Sequence, residues 1–345
     1  MYKFIFYKYR FFLGYIIIGV LSLIFEILLY NSLNNFFKNY ILNSLISVIG
    51  GIFFSYWFNV RYNFKISKSK RNKALTYFVL ISLSSYLIQI FIIEYFINFY
   101  SYELLRFLTS GSLFWIAYFL HRKYSFKDFK KVGIAIYANG VEDINLIFNK
   151  VGNYPDFIHV DIVDKTINSK AKSVLSYKTE VIRAFWNAKF IEAHIMSKNP
   201  QIWIPKIVDN VNRIFIHCDI ADNIADTLIL LKDKKCEAGI VVQEKEHLKI
   251  LDKYHHLIDS ILVLSIKNAG YSGQNFRMSS LDLISIINKH KHRNKFSLVV
   301  DGGVNQKTIS LIKSENVVSG SFVLNSKNPI RKIQILQTSS QYESI

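Results

Sequence analysis

FIHVDIV, residues 157–163, is apolar along its whole length except for His159 and Asp161. A short β-branched run apolar on both faces reads as a strand covered on both sides, which is the condition of a parallel sheet. Seven further runs share its character: VGIAIY (132–137), FIEAHIM (190–196), RIFIHCDI (213–220), EAGIVV (237–242), SILVLSI (260–266), FSLVVDGG (296–303) and NVVSGSFV (316–323). They begin 20–36 residues apart, enough for a helix in most gaps. Eight such repeats predict an α/β (β/α)8 TIM barrel over 132–335, followed by a tail, 336–345. A doubly wound open sheet is the alternative, but it has no particular need for eight strands.

In a barrel of this kind the chemistry gathers at the C-terminal ends of the strands. The polar residues of these runs stand there: His159 and Asp161 in the second, His194 in the third, Asp301 at the end of the seventh. His159 and Asp161 are two positions apart, so they leave one face of their strand. Any one of the four alone reads as a buried, hydrogen-bonded side chain. All four at strand ends read as a ligand set for Zn²⁺, Mn²⁺ or Fe²⁺.

Glycines supply a second clue. AGYSGQ (269–274) follows the sixth run, while DGG (301–303) and SGS (319–321) accompany the seventh and eighth. Glycine lets backbone N–H groups approach an anion closely, and barrels often bind phosphate after strands seven and eight. DGG alone is an ordinary turn; the three stretches in this order point to a phosphate site.

These residues together resemble the ribulose-phosphate 3-epimerase family. IHVDIVD (158–164) is similar to that family's HVDxMD strand, EAHIM (192–196) to its DVHLM, AGYSGQNF (269–276) to its PGFGGQ and VVDGGVN (299–305) to its DGGVN. The resemblance covers about 133–335. It implies that His159, Asp161, His194 and Asp301 hold one divalent metal ion (Zn, Mn, Fe or Co), and that Asp161 and Asp301 are the acid/base pair on opposite faces of C3. It further implies a phosphorylated ketose as substrate, its phosphate held by Gly270, Ser272, Gly273, Gly302, Gly303, Gly320 and Ser321. Epimerisation beside a ketone needs one carboxylate to remove a proton and another to return it from the far side. Four positions depart from the family, one of them Ser272, which replaces a Gly in a strand-six loop one residue longer. Tyr137 stands near where the family has a substrate-contacting Ser, Val163 replaces a Met over the reacting centre, and Lys165 replaces a Gly. The expected consequence is intact acid/base chemistry in an altered pocket, with a changed ketose phosphate as an alternative substrate and a decayed, non-catalytic barrel as the bland reading.

Upstream of the barrel the composition changes. The chain as a whole is 51% apolar and 15% aromatic, with a mean hydropathy of +0.19 and a formal charge of +18. Residues 1–131 carry 16 Lys and Arg against 4 Asp and Glu, whereas 132–345 carry 27 against 21. Four apolar runs lie in the first part, about 11–30, 41–58, 76–97 and 105–120, each near the ~20 residues a helix needs to cross a bilayer. The first is too long for a signal-peptide core and is followed by three more. A set of buried core helices is the remaining soluble reading. Basic residues crowd before the first run, between the second and third, and after the fourth, which puts both termini and the barrel in the cytoplasm.

NVRYNF (59–64) and HRKYSF (121–126) write the same basic–aromatic pattern 62 residues apart, each after an even-numbered run. Interfacial anchoring explains each separately; the matched offset points to two related helical hairpins. SYWFNVRYNF (55–64) and YFLHRKYSF (118–126) resemble the paired signatures of GtrA-like membrane proteins, with His121 where Asn is usual. That resemblance covers about 8–128, and the all-α four-helix transmembrane domain is expected over 1–128. It implies an integral, multi-pass protein of a bacterial inner membrane, a link to cell-surface polysaccharide synthesis and a membrane lipid partner such as a polyprenyl-phosphate sugar. Glu26, Glu94 and Arg106 fall toward the outer side of the spans, where a charge is expensive unless paired. A Glu–Arg cluster is expected, either holding a lipid phosphate or serving as a structural ion pair.

Cys218 and Cys236 are the only cysteines, and their spacing indicates neither a metal nor a redox pair. The excess positive charge sits at membrane boundaries, so nucleic acid is not the expected partner; a homo-oligomer is left open. Two functions follow. One is a membrane-tethered, metal-dependent epimerase converting ribulose 5-phosphate to xylulose 5-phosphate or acting on a related ketose phosphate. The other is a translocase of lipid-linked sugar whose barrel binds a sugar phosphate without catalysis.

Overall fold

A computed structural model describes residues 2–64, 66, 71–126, 130–139 and 142–339. The chain forms two compact units, Met1–Asp128 and Phe129–Ile345.

The first unit is helical: α1 (Tyr2–Phe36), α2 (Tyr40–Phe58), α3 (Arg71–Phe96) and α4 (Tyr102–Leu120). Asn39 starts α2 by accepting the Leu42 N–H at 3.1 Å, and Ser101 starts α4 by accepting that of Leu104 at 3.4 Å. Helices α1 and α2 pack together, as do α3 and α4. Large apolar side chains such as Leu28, Leu87 and Phe91 remain exposed on the outer faces. Of the four expected spans, two are long and apolar enough to cross a membrane among the described residues, over Tyr9–Phe36 and Arg71–Phe96, at mean hydropathies of 2.5 and 1.9.

The two repeated sequence stretches take one conformation. After α2, Asn59–Asn63 forms a π-helical turn, and after α4, His121–Ser125 forms another. The Phe64 N–H donates to the Asn59 carbonyl and the Phe126 N–H to that of His121, both at 2.8 Å. Inside each turn the first and fifth side chains bond: Asn63 Nδ2 donates to Asn59 Oδ1 at 3.0 Å, and His121 Nδ1 meets Ser125 Oγ at 3.1 Å. The phenyl rings that follow, Phe64 and Phe126, are fully buried and stack at 4.3 Å. The expected Glu–Arg cluster turns on Arg106, whose side chain lies outside the described residues. Glu26 is half-buried on α1 against Gly51 of α2, and Glu94 is exposed on α3.

The second unit is a closed barrel in the order β1 to β8, every neighbouring pair parallel. The strands are β1 (Lys131–Tyr137), β2 (Phe157–Val163), β3 (Phe190–Met196), β4 (Arg213–His217), β5 (Glu237–Val242), β6 (Ser260–Leu264), β7 (Ser297–Asp301) and β8 (Asn316–Val318). Helices α5 (Ile144–Val151), α6 (Tyr177–Phe185), α7 (Ile204–Ile207), α8 (Ile224–Asp233), α9 (Leu248–Tyr254) and α10 (Ser280–Asn288) fill the gaps up to β7. From β7 to β8 the chain passes through turns, and α11 (Ser321–Leu324) and α12 (Pro329–Gln337) complete the barrel's outer layer. Alternation along β2 sends Ile158, Val160 and Ile162 outward to the helices and Phe157, His159 and Asp161 inward. Two inward phenyl rings fit because their neighbours lack side chains. A Cβ on Gly133 would collide with Phe157, and one on Gly239 with Phe215.

Candidate active site

Register brings the polar residues together. Asp161 on β2 pairs with His194 on β3, one inward position above the pair His159 and Glu192. Asp301 ends β7, and its carbonyl accepts both the N–H and the hydroxyl of the buried Ser265, each at 2.7 Å. One ligand atom from each of His159, Asp161, His194 and Asp301 lies within 4.8 Å of the others. His159 Nε2 and His194 Nδ1 each approach Asp161 Oδ1 at 3.4 Å.

Those three atoms are buried and none has a hydrogen-bond partner. An unpaired buried polar atom costs about 1–3 kcal/mol, so three converging on one spot need a shared partner. Two imidazole nitrogens and two carboxylates are the donor set of a divalent transition-metal ion, so the residues present fit such an ion.

Each imidazole is also held from behind. His159 Nδ1 meets Glu192 Oε1 at 2.7 Å, Glu192 Oε2 accepts from Arg213 at 3.0 Å, and Arg213 Nε donates to Glu237 at 2.8 Å. His194 Nε2 meets His217 Nε2, at the end of β4, at 2.9 Å. Such backing fixes which ring nitrogen faces the centre. Glu192 and His217 were missed in the sequence. Glu192 stands two positions before His194, so strand alternation alone put it on the same face; His217 required the register of β4.

The two carboxylates are set apart electrostatically. Burial would raise the Asp161 carboxyl, but the adjacent imidazoles of His159 and His194, each 3.4 Å away, outweigh it and bring it down to about 2. Burial raises Asp301 to about 6, the charge of Asp161 adding to the rise against the pull of His159 and His194. His159, which burial alone would lower, is held well above the usual imidazole value by Asp161 and Glu192. A carboxylate kept ionised facing another poised near neutrality is an arrangement able to take a proton on one side and give one on the other.

Beside the centre opens a cavity of about 230 Å³, lined by Tyr137, Glu142, Val163, Asn168, Gly270 and Ser272 among others. Glu142 accepts the Tyr137 N–H at 2.8 Å, and Asn168 donates to the Gly270 carbonyl at 3.2 Å. Burial first, then the negative charges of Asp161, Asp301 and Glu142, push the Tyr137 hydroxyl far above its usual value, so it stays protonated. Tyr137 and Val163 thus form the altered wall. Lys165, also named as a pocket departure, lies exposed in the turn after β2 and does not line this cavity; Asp164 shapes that turn by accepting the Thr166 N–H at 2.9 Å.

The glycine stretches all stand at the C-terminal end of the barrel. Gly270 and Gly273 have φ of 79° and 76°, and Gln274 ties their loop by donating to the Asn268 and Tyr271 carbonyls at 2.6 and 2.8 Å. Gly302 and Gly303, at φ 104° and 65°, turn the chain after β7. Gly320 and Ser321 follow β8, with Gly320 against Ala135 of β1.

Residues 135–324 match the model of the Ribulose-phosphate 3 epimerase family, and residues 14–131 that of the GtrA/DPMS transmembrane domain. A ribulose-phosphate 3-epimerase of Aquifex aeolicus is 31% identical over 159 residues, 44% of this chain and 71% of the relative. That of Buchnera aphidicola subsp. Baizongia pistaciae is 31% identical over 192 residues, 53% of this chain and 82% of the relative. Among solved structures, 3-hexulose-6-phosphate synthase from Salmonella typhimurium aligns with 61% of this chain and 99% of its own, at 14% identity and a TM-score of 0.47.

Proposed function

Because the chain belongs to the ribulose-phosphate 3-epimerase family, we propose that its barrel inverts C3 of a phosphorylated ketose, ribulose 5-phosphate or a close relative. The observation that carries this reading is the convergence of His159 Nε2, Asp161 Oδ1 and His194 Nδ1, buried and unpaired, with Asp301 beside them.

Asp161, ionised, removes the C3 proton from one face, and Asp301 delivers a proton to the other; the roles exchange for the reverse direction. A divalent ion held by His159, Asp161, His194 and Asp301 would supply positive charge where negative charge develops on the two substrate oxygens. Glu192 and His217 keep the imidazoles aimed at that point while the reaction runs. The N–H groups of the loops at Gly270–Gly273, Gly302–Gly303 and Gly320–Ser321 would hold the phosphate at the mouth. Tyr137, a neutral donor close to both carboxylates, narrows the pocket and sets which ketose fits.

The helical unit supports a second activity alongside the first. Its match to a GtrA/DPMS transmembrane domain favours four crossings, a lipid-linked sugar as cargo and a role in surface polysaccharide synthesis, and the basic residues flanking the apolar runs favour both termini inside. Glu26, Glu94 and Arg106 are its candidate polar contacts to that lipid.

The test uses the full chain in detergent with ribulose 5-phosphate in D₂O, followed by NMR with and without a chelator. Deuterium at C3 of the product, lost on chelation and in Asp161→Asn and Asp301→Asn, is the expected result. Bound metal without exchange on any ketose phosphate would leave the barrel a binding module and the translocase reading alone.

A further inference from the structure

All eight strands run parallel, so the residues just before each strand share one end of the barrel, opposite the candidate active site. Before β7 stands Lys289–Lys295, KHKHRNK, which holds four Lys and Arg and two His in seven residues and no acidic residue. Before β6, on the same end, stand Lys253, His255 and His256. The two segments are joined: the His255 ring stacks on His292 at 4.0 Å, and His290 bonds Asp252 at 3.0 Å. Arg293 is spent on Glu315 at 2.6 Å. Lys289, Lys291 and Lys295 are exposed and make no ion pair among the described residues.

An uncompensated basic surface needs an anion, and the position says which kind. Lys131, the first residue of β1, lies at this same end, three positions after the last residue of the helical unit, Asp128. The chain therefore arrives from a bilayer-bound unit at the end that carries the patch. We infer that Lys289, Lys291 and Lys295, with the flanking histidines, form a docking surface for anionic lipid headgroups. The inference rests on the helical unit lying in a membrane.

The full chain is placed in nanodiscs of phosphatidylcholine, or with about one third phosphatidylglycerol, and lysine acetylation is followed by mass spectrometry. Lys289, Lys291 and Lys295 are expected to react about threefold more slowly in the anionic discs, with the protection lost near ~1 M salt. Lys267 and Lys307, at the opposite end, serve as references and should not change. Equal rates in both discs overturn the inference. Protection by added RNA and none by anionic lipid also overturns it, assigning the patch to nucleic acid. Failure of the chain to enter discs at all overturns the membrane reading and takes the docking surface with it.

Discussion

The two π-turns of the helical unit and the mouth of the barrel both bury polar side chains, and they treat them in opposite ways. At the π-turns, Asn59 with Asn63 and His121 with Ser125 satisfy each other, sealed under the stacked rings of Phe64 and Phe126. At the barrel's mouth, His159, Asp161 and His194 turn unpaired atoms toward one another. Burial of polarity is common to both places; at the turns the paired side chains spend their bonds on each other, while at the centre three converging atoms leave theirs unspent. The difference separates a fastening from a site, because three unpaired buried atoms converging on one point are relieved together by a single shared partner.

The largest effect that would sharpen this contrast is Asp161→Asn. It keeps the shape and removes the ionised acceptor, and deuterium incorporation at C3 should fall about 10³-fold, within the range general acid–base groups supply. Phe126→Ala tests the other side. Losing a fully buried ring is expected to destabilise the helical unit by about 3–5 kcal/mol, read by thermal unfolding in detergent, with the barrel's exchange activity intact. Activity lost in step with that unfolding would break the contrast.

Smaller effects probe the backing groups. Glu192→Gln should weaken metal binding about 10- to 100-fold by calorimetry. His159 holds its proton above the usual imidazole value through Asp161 and Glu192, so metal must displace that proton and affinity should climb with pH until His159 is neutral. In the variant, proton release on metal binding at neutral pH, measured in two buffers, should be smaller. Smallest of all is His121→Asn, which restores the residue found in the first turn, since Asn59 and Asn63 already make the equivalent bond. A change within about 1 kcal/mol is expected; a larger one would show that the ring's stacking on Phe78 at 4.2 Å carries the turn.

Much of this was legible beforehand, for definite reasons. The eight strands announce themselves because a strand covered on both faces cannot hide its apolar run, and His159, Asp161, His194 and Asp301 interrupt those runs. The repeated basic–aromatic stretches were visible as letters, but not as π-turns: a bond from the sixth N–H back to the first carbonyl, as from Phe64 to Asn59, needs one extra residue in the turn, which no residue type encodes. His217 reached the centre only through the β4 register. Lys165 was misplaced because the turn after β2, fixed by Asp164 and Thr166, carries it into solvent. Nothing in the letters singled out Lys289–Lys295; its place at the end where β1 begins follows only from the parallel barrel.

Gly133 and Phe157, and Gly239 and Phe215, have a consequence on another timescale. Each pair is one interlocked object written at two places in the gene, 24 residues apart in both cases. Neither phenylalanine is admissible until its glycine exists, and once the ring is in place the glycine cannot acquire even a methyl group. Descent through such a pair runs in one order and resists reversal. Among relatives of this chain, a side chain at either glycine should therefore coincide with a smaller residue at its partner.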